Sequence, residues 1–242
     1  MVRSDGRGVT DLRPVTFEMG VNHWAEGSCL MTLGNTRVHV TASLEDKVPP
    51  FLRGKGQGWI HAEYAMLPRA TRERTAREVT RGRVQGRTAE IQRLIARSLR
   101  AVTDLTRLGE RSYTVDVDVI QADGGTRTAG VTAGFLALAQ AVRATDAGLR
   151  PFADWLAAVS VGLKDDTILL DLAFDEDAGI DVDLNCVMTA GRQLVEIQGT
   201  AEGRLFSVER LGHMLDVATG GIDRLVAAMK AAFPEGEALL AR

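Results

Sequence analysis

Gln121-Ala122-Asp123-Gly124-Gly125-Thr126-Arg127-Thr128-Ala129-Gly130 is the stretch from which the rest of the chain can be read. Tyr113 to Ile120 precedes it. That segment alternates apolar and polar side chains and is rich in β-branched residues, which predicts a strand. Ala129 to Ala144 follows, rich in Ala and Leu with almost no charge, which predicts a buried helix. A Gly-Gly turn therefore joins strand to helix, with Thr126 at or near the N-cap. Such a turn suits an anion: glycines let the backbone approach, the first helical N–H groups are unpaired, and the helix dipole adds positive charge. Arg127 adds a planar fork that matches phosphate oxygens. The stretch is neither a GxGxxG fingerprint nor a P-loop, because no Gly-Lys-Ser/Thr follows. Taken alone, it is equally well a tight turn capped by Thr126.

The flanking charge supports an anionic ligand. The net charge of −3 does not itself suggest nucleic-acid affinity, but its distribution does. Arg69 to Arg111 holds twelve arginines against five acids, whereas Asp165 to Asp183 holds eight acids and no Lys or Arg. A basic and an acidic segment in one chain suggest a polyanionic substrate and a metal.

At 242 residues, with 45% hydrophobic and 25% charged residues, the chain is an ordinary globular protein of one large or two small domains. Cys29 and Cys186 lie in strand-like runs and read as buried thiols of a reducing compartment. The four histidines show no metal-ligand spacing with cysteines and read as structural or surface residues. No signal peptide and no membrane-spanning run are seen, so a cytoplasmic location is expected.

Along the chain, residues 1–13 carry Arg3, Asp5, Arg7 and Arg13 and read as an extended arm or loop, slightly favouring a frayed terminus. Val15 to Met19, Gly27 to Leu33, Arg37 to Leu44 and Gly58 to Leu67 are strand candidates. Residues 68–86 are Arg-rich with little apolar periodicity and predict a mobile loop with short helical pieces. A helix over Arg87 to Val102 follows, with Arg87 in its first turn, where the dipole disfavours a cation and an anion nearby would relieve it. Leu149-Arg150-Pro151 divides the chain into residues 1–150 and 151–242. Strands over Leu156 to Leu163, Thr167 to Leu172, Asp181 to Thr189 and Gln193 to Gly199, an acidic loop over Phe174 to Ile180 and a helix beginning at Ser207 make up the second part. The Gly220-Gly221 pair argues against one unbroken helix there. Each part runs strands first and then helix, which predicts an α+β fold of two similar units sharing a core.

Asp177 and Asp183 are the sharpest acidic pair. Strand interiors disfavour Asp, so Asp181 and Asp183 need a metal, an arginine or water at a sheet edge. Carboxylates with open water positions suit Mg²⁺. Asp116 and Asp118 repeat the pattern before the glycine turn and read as structural.

The chain resembles the ribonuclease PH family of phosphate-dependent exoribonucleases that trim transfer RNA 3′ ends. The likeness rests on Arg3-Ser4-Asp5-Gly6-Arg7 with Leu12-Arg13-Pro14-Val15, on Met66-Leu67-Pro68-Arg69, and on Gly86-Arg87-Thr88-Ala89-Glu90-Ile91-Gln92-Arg93-Leu94-Ile95. It continues through Gln121 to Thr128 and ends with Val195-Glu196-Ile197-Gln198-Gly199-Thr200-Ala201-Glu202-Gly203. The resemblance implies a phosphate-binding arginine at Arg87, a phosphate loop at Gly125, Thr126 and Arg127, and catalytic, metal-associated aspartates at Asp177 and Asp183. It implies RNA contacts from Arg69, Arg72, Arg74 and Arg77. It further implies a divalent cation, usually Mg²⁺, inorganic phosphate as co-substrate, nucleoside diphosphates as products, and a hexameric ring built as a trimer of dimers. Ala96 and Ala178-Gly179 depart from the family pattern and touch no expected ligand. The expected function is phosphorolytic 3′-to-5′ trimming of tRNA precursors; the alternative is a non-catalytic RNA-binding ring subunit.

Overall fold

The computed structural model describes residues 3–82 and 85–241, with the side chains of residues 79 and 81 left aside. Arg83, part of the arginine-rich segment, lies outside the described residues. The strands of the first part are β1 (Val15–Met19), β2 (Gly27–Leu33), β3 (Thr36–Glu45), β4 (Trp59–Met66) and β5 (Ser112–Gln121). They form one sheet in the order β1-β2-β3-β5-β4. Neighbours are antiparallel except β4 and β5, which run parallel because helix α1 (Gly86–Ala101) carries the chain across between them. Helix α2 (Thr126–Thr145) follows β5. In the second part β6 (Leu156–Lys164), β7 (Thr167–Leu170), β8 (Val182–Thr189) and β9 (Leu194–Ala201) form an antiparallel sheet in the order β7-β6-β8-β9. Helix α4 (Val208–Ala232) closes it.

The α+β expectation holds, and α2 explains how the two sheets share one interior. Its face turned to β2, β3 and β5 and its face turned to β6 are both apolar, so the helix is buried nearly all round from Thr128 to Val142. Small residues let it sit close. A Cβ on Gly27 would lie 2.0 Å from the Ala137 carbonyl oxygen, so β2 and α2 meet backbone to backbone. Phe135 of α2 packs edge-on against Phe152 and tilted against Trp155, tying the chain after residue 150 to the same core.

Three expectations are corrected, and one alternative left open by the sequence is closed. The N-terminal arm is not frayed: Arg3 and Arg13 are buried, each only 4% exposed, and pinned to the second part of the chain. The acidic loop after β7 contains a one-turn helix, α3 (Phe174–Asp177), so Asp177 ends a helix. Helix α4 runs unbroken through Gly220-Gly221, because Gly221 is where the helix presses on β7; a Cβ there would meet Leu170 at 2.8 Å. Asp183 sits in β8, between β6 and β9, and not on a solvated edge strand. The Arg-rich segment does contain a short 3₁₀ turn, Glu78–Arg81.

Candidate active site

The glycine turn after β5 is built from beneath. Gly124 and Gly125 both adopt left-handed backbone, with φ of 80° and 69°. A Cβ on Gly124 would lie 2.3 Å from the Leu172 carbonyl oxygen, so both its conformation and its neighbour demand glycine. Gly125, and not Thr126, is the N-cap of α2, and Thr126 is the first helical residue. The Thr36 hydroxyl donates to the Gly124 carbonyl at 2.7 Å and accepts from the Asp123 N–H at 3.0 Å. Arg13 donates to the Asp123 carbonyl and, at 3.4 Å, to that of Gly124. With the turn's carbonyls held underneath, the N–H groups of the first turn of α2 stand at the open end of the helix dipole.

Two layers of ion pairs hold this support in place. Asp171 accepts from Arg13 at 2.6 Å and from Arg7 at 3.2 Å, and Glu176 of α3 accepts from Arg3 at 2.6 Å. The same Glu176 accepts from the Ala173 N–H at 2.8 Å and so shapes the start of α3. Its carboxyl is held below the usual range against the opposing cost of burial, chiefly by its hydrogen bonds from Arg3 and the Ala173 N–H. The arm therefore ties the glycine turn and the helix bearing Asp177 into one assembly.

One cavity of about 600 Å³ is lined by Arg87, Gly125, Thr126, Arg127, Asp177 and Asp183, with Arg72 at its side. Arg77 lines a neighbouring cavity of about 400 Å³ that also touches Arg87, while Arg69 and Arg74 are exposed and line neither. Arg127 reaches Gln198 Oε1 of β9 at 3.3 Å and lies 3.8 Å from Glu90 Oε1 of α1. An Arg97–Glu196 pair at 2.9 Å bridges α1 and β9 beside it, and Gln198 donates to Glu196 at 3.0 Å. The Thr126 hydroxyl pairs with Tyr64 Oη at 2.9 Å; burial pushes the Tyr64 phenol up, so it stays protonated.

The two aspartates differ. Asp177 is exposed, while Asp183 is half-buried, and Asn185 Nδ2 donates to its oxygens at 3.3 and 3.5 Å. Burial, then the Asp177 charge, push the Asp183 carboxyl up, and Arg127 opposes them. Among the described residues no group of three or more His, Cys, Asp or Glu side chains could hold a metal ion. A two-carboxylate site with mutual repulsion fits Mg²⁺, which takes one or two carboxylates and completes its shell with substrate phosphate and water. Asp181 plays another part: its carboxylate accepts from the Asp165 N–H at 2.7 Å and closes the β6–β7 turn.

Sequence reasoning missed the supporting residues Tyr64, Thr36, Asp171, Glu176, Asn185 and Gln198. Gln198 lies in a quoted motif, Tyr64 lies beside one, and Asp171 and Glu176 belong to the acidic segment, but none of the six carries a local sign of its supporting role. No helix among the described residues is long and apolar enough to cross a membrane.

Comparison with known proteins agrees with this architecture. Family models described as 3′ exoribonuclease family, domain 1 and domain 2, match residues 11–144 and 154–221. The chain is 58% identical over 234 residues to a ribonuclease PH of Moorella thermoacetica, covering 95% of this chain and 94% of the relative. It is 54% identical over 230 residues to that of Bacillus subtilis, covering 93% and 94%. Among solved structures it resembles an Archaeoglobus fulgidus exosome with RNA bound to the active site, with a TM-score of 0.79, 24% identity and coverage of 93% and 91%. It also resembles rice (Oryza sativa) Rrp46, with a TM-score of 0.77, 17% identity and coverage of 94% and 98%. Family models over both parts and relatives above half identity leave one conclusion: this chain belongs to the ribonuclease PH group of the 3′ exoribonuclease family.

Proposed function

We infer that the protein is a phosphate-dependent 3′-to-5′ exoribonuclease of tRNA processing, shortening the RNA by one nucleotide per cycle and releasing a nucleoside diphosphate. The observation that carries this is the opening of the α2 N-terminus and the Asp177–Asp183 pair onto one cavity. Inorganic phosphate sits at the N–H groups of Gly125, Thr126 and Arg127, with the guanidinium groups of Arg127 and Arg87 balancing its charge. A phosphate oxygen attacks the phosphorus of the last phosphodiester. The bond from phosphorus to the 3′ oxygen of the preceding nucleotide breaks, and that oxygen takes up, by way of Asp177 or Asp183, the proton that the attacking hydrogen phosphate gives up. Catalysis is mostly positioning and charge neutralisation. Mg²⁺ held by Asp177 and Asp183 would neutralise charge on the scissile phosphate or the departing oxygen. The reverse reaction adds nucleotides from diphosphates.

The exposed side chains of Arg69, Arg72, Arg74 and Arg77 support backbone contacts to RNA leading into the cavity. Residues 1–150 and 151–242 serve as the two subdomains, one carrying the phosphate site and the other the aspartates. A hexameric ring and a cytoplasmic location complete the proposal. A non-catalytic ring subunit is the weaker alternative, because Arg87, Arg127, Asp177 and Asp183 are all present. The test is incubation of purified protein with 3′-extended tRNA, with and without phosphate. Nucleoside diphosphates are expected only with phosphate; monophosphates in its absence would mean a hydrolase.

A further inference from the structure

A bound phosphate accounts for only part of the cavity, whose volume of about 600 Å³ falls among pockets that take a whole small molecule. The glycine turn, Arg127 and the two aspartates make its polar floor. Another wall is apolar and comes from Met66 of β4, Leu172 and Phe174. Phe174 is a large aromatic side chain left 51% exposed at this cavity. It opens α3, and Asp177 lies three residues on in the same helical turn, so the two side chains share a face. The Arg72 guanidinium lies over the Phe174 ring, 5.7 Å from its centroid, and Asp175 holds that guanidinium at 3.0 and 3.2 Å. An aromatic face and a guanidinium plane, set beside a phosphate site, are the groups on which unstacked nucleobases rest.

We propose that Phe174 is the stacking platform for a nucleobase at the 3′ end of the RNA, with Arg72 flanking that base. This rests on the RNA phosphorolysis inferred above. Stacking reads a π face that every base possesses, so the site accepts any base as trimming proceeds. Stacking on Phe174 also restrains the terminal nucleotide while its phosphodiester lies over the polar floor.

The experiment compares phosphorolysis of short oligoribonucleotides, either normal or carrying abasic sugars at the last two positions, by the full chain and by Phe174→Ala, Phe174→Leu and Phe174→Tyr. Phe174→Ala is expected to raise KM for the normal oligonucleotide roughly tenfold, with KM for phosphate unchanged. Phe174→Tyr should stay near the unmodified protein. Phe174→Leu, which keeps apolar volume without a π face, should resemble Phe174→Ala. The abasic oligonucleotide should bind the unmodified protein weakly and lose nothing further in Phe174→Ala. Equal losses on normal and abasic substrates would overturn the proposal, as would full retention by Phe174→Leu. Thermal midpoint and oligomeric mass, measured on each variant, separate misfolding from lost stacking. Should the unmodified protein release no diphosphates at all, the functional reading fails. Oligonucleotide affinities, normal against abasic, then still decide the role of Phe174.

Discussion

Arg13 Nη2 lies 2.6 Å from Asp171 Oδ1, with both side chains almost fully buried directly beneath the glycine turn. Breaking a buried pair strands a charge and costs about 3–5 kcal/mol. Arg13→Ala should therefore lower the thermal midpoint by on the order of 10 °C in a chain of this size. The exposed Arg72–Asp175 pair, at 3.0 Å, is worth under about 1 kcal/mol. Asp175→Ala should leave the midpoint within about 2 °C. Calorimetry of the two variants checks the contrast; similar midpoints would remove the supporting role given to Arg13.

Arg127→Ala and Asp183→Asn separate binding from chemistry. A charge-assisted contact is worth about 1.5–3 kcal/mol, so Arg127→Ala should raise KM for phosphate roughly 10- to 100-fold, while RNA affinity falls less. Asp183→Asn should abolish turnover at any phosphate concentration with the fold intact. Steady-state kinetics over a phosphate series, with circular dichroism, is the measurement. An unchanged phosphate KM in the Arg127 variant would refute its assignment.

Arg72, Arg74 and Arg77 are exposed and expected to meet the RNA backbone. Replacing all three with Ala should flatten the fall of tRNA affinity with salt, because each lost phosphate contact removes released counterions. Because Arg72 also lines the cavity, the variant should trim very short oligonucleotides with a modestly raised KM and lose much more of its activity on full tRNA. Identical salt slopes by fluorescence anisotropy would show the segment to be a solvated surface.

Asp116 offers a pH test away from the site. Burial, then the charges of Glu63 and Asp118, push its carboxyl up, and His61 opposes them. An acid whose folded pKa is raised binds its proton more tightly when folded, so its ionisation destabilises the fold. That cost is absent below its unfolded pKa and develops as pH rises through the raised folded value. Asp116→Asn should thus stabilise the protein near neutral pH, with the gain shrinking in acid. Urea melts across pH check this; a variant less stable than the parent at pH 7 would contradict it.

The strands were legible because one face of each alternates, as in Tyr113 to Ile120, and α2 because an unbroken run of small apolar residues can only be buried. Arg87 and the glycine turn carried motif signals, Asp177 and Asp183 stood out as an acidic pair, and these line one cavity with Arg72, whereas Arg69, Arg74 and Arg77 do not reach it. What supports them was not legible. Arg3 meets Glu176 and Arg13 meets Asp171 across more than 150 residues of chain, and nothing local marks either arginine as buried. By local sequence alone an Arg-rich arm reads as solvated, since only distant carboxylates make its burial tolerable. Helix α3 was missed for a similar reason: four residues give no period, and Glu176 fixes it through Arg3.

Because α2 is covered by one sheet on each side, the chain has a junction suited to a split reporter. Fragments 1–150 and 151–242, made separately, would each present an apolar face meant for the other and would tend to aggregate. Brought together on two interacting carriers, they would rebuild the interior and the cavity at once, since the glycine turn comes from one fragment and both aspartates from the other. Release of nucleoside diphosphate would then report on the carriers' association.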